Sequence, residues 1–126
     1  MKKILKTLFI LFISILVLGC ENDNTSNGGT MESISSSEVK EIMDNNDNSY
    51  ILIDVREDYE FNEGHIPGAI NIPLGNITTV DYSLDKTIIV YCKSGNRSNQ
   101  AAIKLKNMGY NVKDMGGIVN WTYEIE

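Results

Sequence analysis

Cys92 opens the segment Cys92-Lys93-Ser94-Gly95-Asn96-Arg97-Ser98, set between an apolar run and a helical pattern. A tight loop entering a helix turns several backbone N–H groups inward, and these groups with the helix terminus favour an anion at the loop's centre. The same field lowers the pKa of a thiol held there. A thiolate gains from the dipoles and from a cation at Lys93 or Arg97, whereas a neutral thiol gains far less. Gly95 allows the torsions that a closed loop requires. The bland alternative is a buried cysteine at a strand end, since cysteine is among the most buried residue types. That alternative gives no reason for Gly, Lys and Arg to adjoin it ahead of a helix. The chemistry expected of Cys92 is therefore nucleophilic attack by a stabilised thiolate, with the loop from Lys93 to Ser98 cradling the negative charge.

Little else in the chain competes with it. Two cysteines and one histidine are too few for a four-ligand zinc site without carboxylates, and Cys20 and Cys92 are too far apart for a CxxC redox pair or a disulfide scaffold. Neither a metal nor a bound cofactor is expected. Eleven basic against seventeen acidic side chains give a formal charge of -6 and a sequence pI of about 4.7. An acidic surface of this kind disfavours a nucleic-acid partner, which needs clustered Lys and Arg. His65 invites nomination as a general base, but a thiolate already stabilised by its loop needs none. A structural ring fixing the Gly64-His65-Ile66-Pro67 loop is the expected role.

The elements that must position Cys92 alternate strand and helix. Ser35 with Glu38 fits a capping box, and Val39, Ile42 and Met43 recur at helical spacing, so a helix is predicted from about Ser36 to Asn45. Tyr50 to Val55 is a short β-rich run with little alternation, as for a strand covered on both faces, and Asp54 sits at its carboxyl end. Glu57 to Phe61 fits one helical turn. Gly64, Pro67 and Gly68 punctuate a loop before the brief apolar segment Ala69 to Ile72. Thr87 to Tyr91 is the clearest strand. Asn96 or Arg97 to Met108 is the clearest helix, with Ala101, Leu105 and Met108 on one stripe and Gly109 at C′. Val112 to Met115 is a last strand, and Ile118 to Tyr123 a closing turn or helix in which Trp121 anchors the core. The class expected is α/β, with a mostly parallel central sheet flanked by helices.

Ahead of this domain, Lys2, Lys3 and Lys6 precede the apolar run Leu8 to Leu18, which is too short for a comfortable span of about 20 residues. Residues 1–19 read as a leader and 20–30 as a polar tether with no apolar residue from Glu21 to Thr30. Residues 31–126 read as the folded domain. Loss of 1–19 leaves 8 basic against 17 acidic side chains, a formal -9. The tetrad Val17-Leu18-Gly19-Cys20 resembles the lipobox of bacterial lipoproteins. That resemblance implies lipidation at Cys20 and an extracytoplasmic, membrane-anchored domain.

From about Met31 to Trp121 the chain resembles the rhodanese, or sulfurtransferase, family. The resemblance rests on Ile53-Asp54-Val55-Arg56, on Gly64-His65-Ile66-Pro67-Gly68-Ala69-Ile70-Asn71, on the cysteine loop, and on Gly116-Gly117-Ile118 with Trp121, in family order. It implies a persulfide on Cys92, taken from thiosulfate or another persulfide and passed to cyanide or a thiol, including a protein thiol. It also implies that amides of the loop Cys92 to Arg97 hold the outer sulfur, that Arg97 closes the loop, and that Asp54 and Arg56 organise the site. Two other readings stand beside it. Cysteine-dependent phosphatases and arsenate reductases place five residues between cysteine and arginine where this chain has four, and a smaller cup suits a tetrahedral oxyanion poorly. A catalytically silent module for binding or redox signalling would need no intact loop, and this loop is intact.

Overall fold

The computed structural model describes residues 31–126. The leader, Cys20 and most of the tether read from the sequence lie outside them. Along the chain run α1 (Ser36–Asp44), β1 (Tyr50–Asp54), α2 (Asp58–Glu63), β2 (Ile70–Asn71), a 3-10 segment (Leu74–Thr79), β3 (Thr87–Cys92), α3 (Asn96–Asn107), β4 (Asn111–Gly117) and a 3-10 turn (Ile118–Asn120). The capping box predicted at α1 is formed. Ser35 Oγ accepts the Glu38 amide at 3.2 Å, and the Glu38 carboxylate accepts the Ser35 amide at 2.9 Å.

The sheet has four strands in the order β2-β1-β3-β4, and every pair is parallel. Parallel pairs need crossovers, and these lay helices on both faces. On β3, Ile88, Val90 and Cys92 enter one core with Ile77 and with Ala101, Ala102 and Leu105 of α3. Ile89 and Tyr91 enter the other with Val39 of α1, Leu52, Ile66 and Trp121. A strand buried on both faces has no wet side, so its sequence shows no polar alternation.

Two expectations are corrected. Met108 is not on the buried stripe: α3 ends at Asn107, Met108 is its C-cap and is 37% exposed, and the chain turns outward at Gly109. The 3-10 segment Leu74–Thr79 was not foreseen, yet it buries Ile77 completely against α3. Its six residues include a glycine and β-branched side chains and make too few turns to display a helical period.

The end of β4 carries the cysteine loop. Cys92 pairs with Gly117, and a one-residue bulge lower in the pair, where Val90 faces Asp114 but Tyr91 faces Gly116, sets that register. Gly117 lies under the loop so closely that a Cβ there would meet Ser94 Cα at 2.9 Å and collide with the Lys93 carbonyl oxygen. Both obstacles are backbone and cannot swing aside. Gly117→Ala should therefore cost about 1–3 kcal/mol through overpacking. The check is a denaturant midpoint lowered in step with slower alkylation of Cys92; a wild-type midpoint would contradict the close approach.

Candidate active site

Cys92 is the last residue of β3 and is 1% exposed. Its sulfur faces the start of α3 across a loop in which Gly95, at φ 108°, makes the left-handed step that L side chains rarely adopt. That step aims the Gly95 amide at Cys92 Sγ, 3.0 Å away. Burial pushes the thiol's pKa up. Hydrogen bonds from the Ser98 hydroxyl and from the Ser98, Gly95 and Ser94 amides outweigh burial and bring it below that of an ordinary cysteine. The Ser98 hydroxyl has one proton for three acceptors. It reaches Gly95 O at 3.1 Å and Gly116 O at 3.4 Å, so these carbonyls compete with the sulfur for it. The amides are the permanent part of the cradle.

The cations expected to share this work stand differently. Lys93 is exposed and in no ion pair among the described residues. Arg97 turns its fork to Glu60 of α2, with Nη1 to Oε1 at 2.6 Å and Nη2 to Oε2 at 3.0 Å. Glu60 Oε1 also accepts the Glu57 amide at 3.2 Å. The Arg97 hydrogen bonds, opposed by burial, hold the Glu60 carboxyl at about 2, so the pair is ionised wherever the protein is folded and active. Arg97 thus closes the loop by tying it to α2 and brings a charge that is already matched. Glu60 was missed by sequence reasoning, because a partner 37 residues away leaves no local signal.

Asp54 and Arg56 are both buried and joined. Asp54 Oδ1 accepts the Arg56 amide at 2.9 Å and Nε at 3.0 Å, and Oδ2 accepts Nη2 at 2.7 Å. The same Nη2 donates to Gly64 O at 2.7 Å. Asp54 is paired in register with Tyr91, the neighbour of Cys92, and strand alternation puts it on the opposite face of the sheet from the sulfur. The pair therefore acts on the site through the backbone that it holds. His65 stacks on Phe61 with centroids 3.7 Å apart, sets Nδ1 3.0 Å from Phe61 O, and exchanges two backbone hydrogen bonds with Glu126. Against α2 is an open cleft of ≈ 340 Å³, lined among others by Arg56, Glu60, Gly64, Ile118, Trp121 and Tyr123. Among the described residues no group of three or more His, Cys, Asp or Glu side chains could hold a metal ion.

A doubly covered parallel sheet with a cysteine-headed anion loop between strand and helix defines the class of domain. The chain matches the family model of the rhodanese-like domain over residues 35–124 and belongs to that family. It is 33% identical over 107 residues to the putative sulfur carrier protein YrkF of Bacillus subtilis, covering 82% of this chain and 57% of that one. It is 36% identical over 97 residues to the putative sulfurtransferase YtwF of the same organism, covering 75% and 93%. Among solved structures, the BH2092 protein of Bacillus halodurans superposes with a TM-score of 0.70 at 32% identity, covering 75% of this chain and 76% of that one. The chain spans little more than half of the sulfur carrier, and 21% of the relative in Meyerozyma guilliermondii named adenylyltransferase and sulfurtransferase.

The cradle yields a direct test. Ser98→Ala should raise the midpoint of the pH profile for Cys92 alkylation by about one pH unit, the size expected for losing a hydrogen bond to a charged group. An unchanged midpoint would leave the amides alone as the stabilising groups.

Proposed function

We propose that the protein is a sulfurtransferase that works through a persulfide on Cys92. The observation that carries this reading is a sulfur buried to 1% exposure yet held below the ordinary thiol pKa by hydrogen bonds from its own loop. Such a sulfur ionises more readily than an ordinary thiol without a neighbouring base, and its thiolate is the nucleophile. With thiosulfate, the thiolate bonds to the outer sulfur, the S–S bond to the sulfonate breaks, and sulfite leaves with the electron pair. The charge then rests on the outer sulfur of the Cys92 persulfide, where the Ser94, Gly95 and Ser98 amides receive it. In the second half-reaction cyanide or a thiolate attacks that outer sulfur and frees the Cys92 thiolate. The chain's other cysteine is Cys20, and with Cys20 lipidated no thiol is left for an internal relay, so the acceptor is a separate molecule. The names of the relatives in Bacillus subtilis support the same direction.

We also propose that Cys20 is lipidated and that the domain works anchored outside the cytoplasm. This rests on the basic start, the apolar run and the tetrad ending in Cys20.

The full-length chain treated with thiosulfate should gain one sulfur atom by intact mass, and cyanide should remove it. Cys92→Ser should gain none. Because the thiol's pKa is lowered, loading should rise with pH and reach its plateau below the range of an ordinary cysteine. Sulfur transfer that survives in Cys92→Ser would end this mechanism. For the anchor, cells fed an alkyne-bearing fatty acid should label the wild type and not Cys20→Ala; equal labelling of both would end the lipidation reading.

A further inference from the structure

Of the three cations that the sequence offers to the site, Arg56, Lys93 and Arg97, two are already matched. Arg56 gives Nε and Nη2 to Asp54 and shares Nη2 with Gly64 O. Arg97 gives both terminal nitrogens to the two oxygens of Glu60. A guanidinium with its fork on a carboxylate presents almost no net charge to a third group. Lys93 is left as the loop's only unmatched cation among the described residues. Beyond it α2 is acidic, because Glu63 lines the cleft against that helix and Glu57 and Asp58 start it.

We infer that the Glu60–Arg97 pair is a charge filter on the sulfur donor, favouring a persulfide on an uncharged carrier over dianionic thiosulfate, with Glu60 the specificity-determining residue. This rests on the sulfurtransferase reading and narrows its substrate class. The backbone cradle can take one negative charge, the one that develops on sulfur. Thiosulfate brings two more, shared between its outer sulfur and its sulfonate, and these must sit among Lys93 and the unpaired carboxylates of α2. A persulfide that reacts in its protonated form, R–S–SH, brings none. The Cys92 thiolate bonds to its terminal sulfur, the bond between the two donor sulfurs breaks, and R–S⁻ leaves with the electron pair. The proton stays on the transferred sulfur. Only one negative charge is present at every stage, and the cradle is built for one. Glu60 also positions Arg97, so its charge and its geometry have to be separated by experiment.

The experiment is single-turnover loading of the full-length chain at constant ionic strength, followed by intact mass, with thiosulfate and with N-acetylcysteamine persulfide as donors. The quantity read is the ratio of the two second-order loading rates. Wild type should favour the persulfide. Glu60→Gln leaves the Arg97 charge unmatched, and should shift the ratio towards thiosulfate by about five- to tenfold, chiefly through a lower half-saturating concentration. Added potassium chloride should erode that shift, because an exposed charge is screened. Glu60→Asp keeps the charge and should keep the wild-type preference. Glu63→Gln removes a cleft carboxylate with no bond to the loop, and should move the ratio the same way by less, which gives a reading even if Glu60→Gln fails to fold. A ratio unchanged in both glutamine variants, or Glu60→Asp behaving like Glu60→Gln, would overturn the filter and leave Glu60 a positioning residue. Wild type that loads from neither donor, with Cys92 reduced and the protein folded, would overturn the sulfurtransferase reading and the filter with it.

Discussion

A sulfur atom withdrawn from water, its pKa held below that of an ordinary thiol by its own loop, is the constraint that the structure answers to. Burial alone would keep Cys92 protonated, so the compensating dipoles have to be fixed before the charge appears. Backbone amides suit the task because they cannot rotate away, provided that the loop carrying them cannot move. Three contacts hold it. Gly117 presses against Lys93 and Ser94 from below, the Val119 amide donates to Lys93 O at 3.3 Å, and the Ser98 side chain reaches both Gly95 O and Gly116 O. All three depend on β3 and β4 ending side by side, with Cys92 opposite Gly117. The parallel sheet thus acts as a template that sets the depth and tilt of the anion cradle.

The two ion pairs around the cradle are better understood as fasteners than as sources of stability. A buried carboxylate and guanidinium lose hydration that their attraction roughly restores, so the Asp54–Arg56 pair adds little against an apolar replacement of both. Removing one partner is a different matter, since it strands the other at the end of β1 and costs about 3–5 kcal/mol. What the pair supplies is direction. Arg56 reaches from Asp54 to Gly64 O and so joins the strand end to the chain leaving α2. Asn71 of β2 adds its side-chain amide to Asp54 O and Arg56 O, at 3.1 and 2.9 Å. From the other end of α2, Glu60 holds Arg97. α2 is only six residues long, and it is fixed at both ends by arginines that belong to the site.

Much of this was legible in the sequence, and the limits have physical causes. The cysteine loop, the capping box at Ser35 and the doubly covered β1 and β3 show themselves because they depend on neighbours close in the chain: glycine torsions, a three-residue cap spacing, an unbroken apolar run. What stayed hidden depends on distance in the chain. Lys93 and Arg97 looked like the thiolate's counter-charges because they are adjacent in sequence, but side-chain reach turned Arg97 to Glu60. Met108 continued the helical stripe in sequence, but the helix stops one residue short of it. The intimacy of Gly117 with Ser94 follows from strand register, which a single sequence does not state. The family motifs mark these positions without giving their reasons, and packing supplies the reasons.

The Gly64-His65-Ile66 run shows how one short loop can serve several walls of a site without touching the sulfur. Gly64 offers its carbonyl to Arg56, His65 pairs its backbone with Glu126, and Ile66 donates its amide to the Tyr91 hydroxyl at 3.1 Å. Burial and the nearby Asp54 charge raise the Tyr91 pKa far above the usual phenol range, so that hydroxyl stays protonated and can accept the Ile66 amide while keeping a proton to give. The His65 ring stacks on Phe61, sets Nδ1 against the Phe61 carbonyl and holds Nε2 3.6 Å from the Glu126 carboxylate, contacts that lie within this loop and its neighbour and not at the sulfur. His65 fastens Glu126 through two backbone hydrogen bonds and the approach of its ring to the carboxylate. Tyr123 and Ile125 consequently form one wall of the space beside Glu60. The shape of the entrance is therefore set by the same residues that fix the strand ends, and the cysteine loop has to supply only the charge cradle.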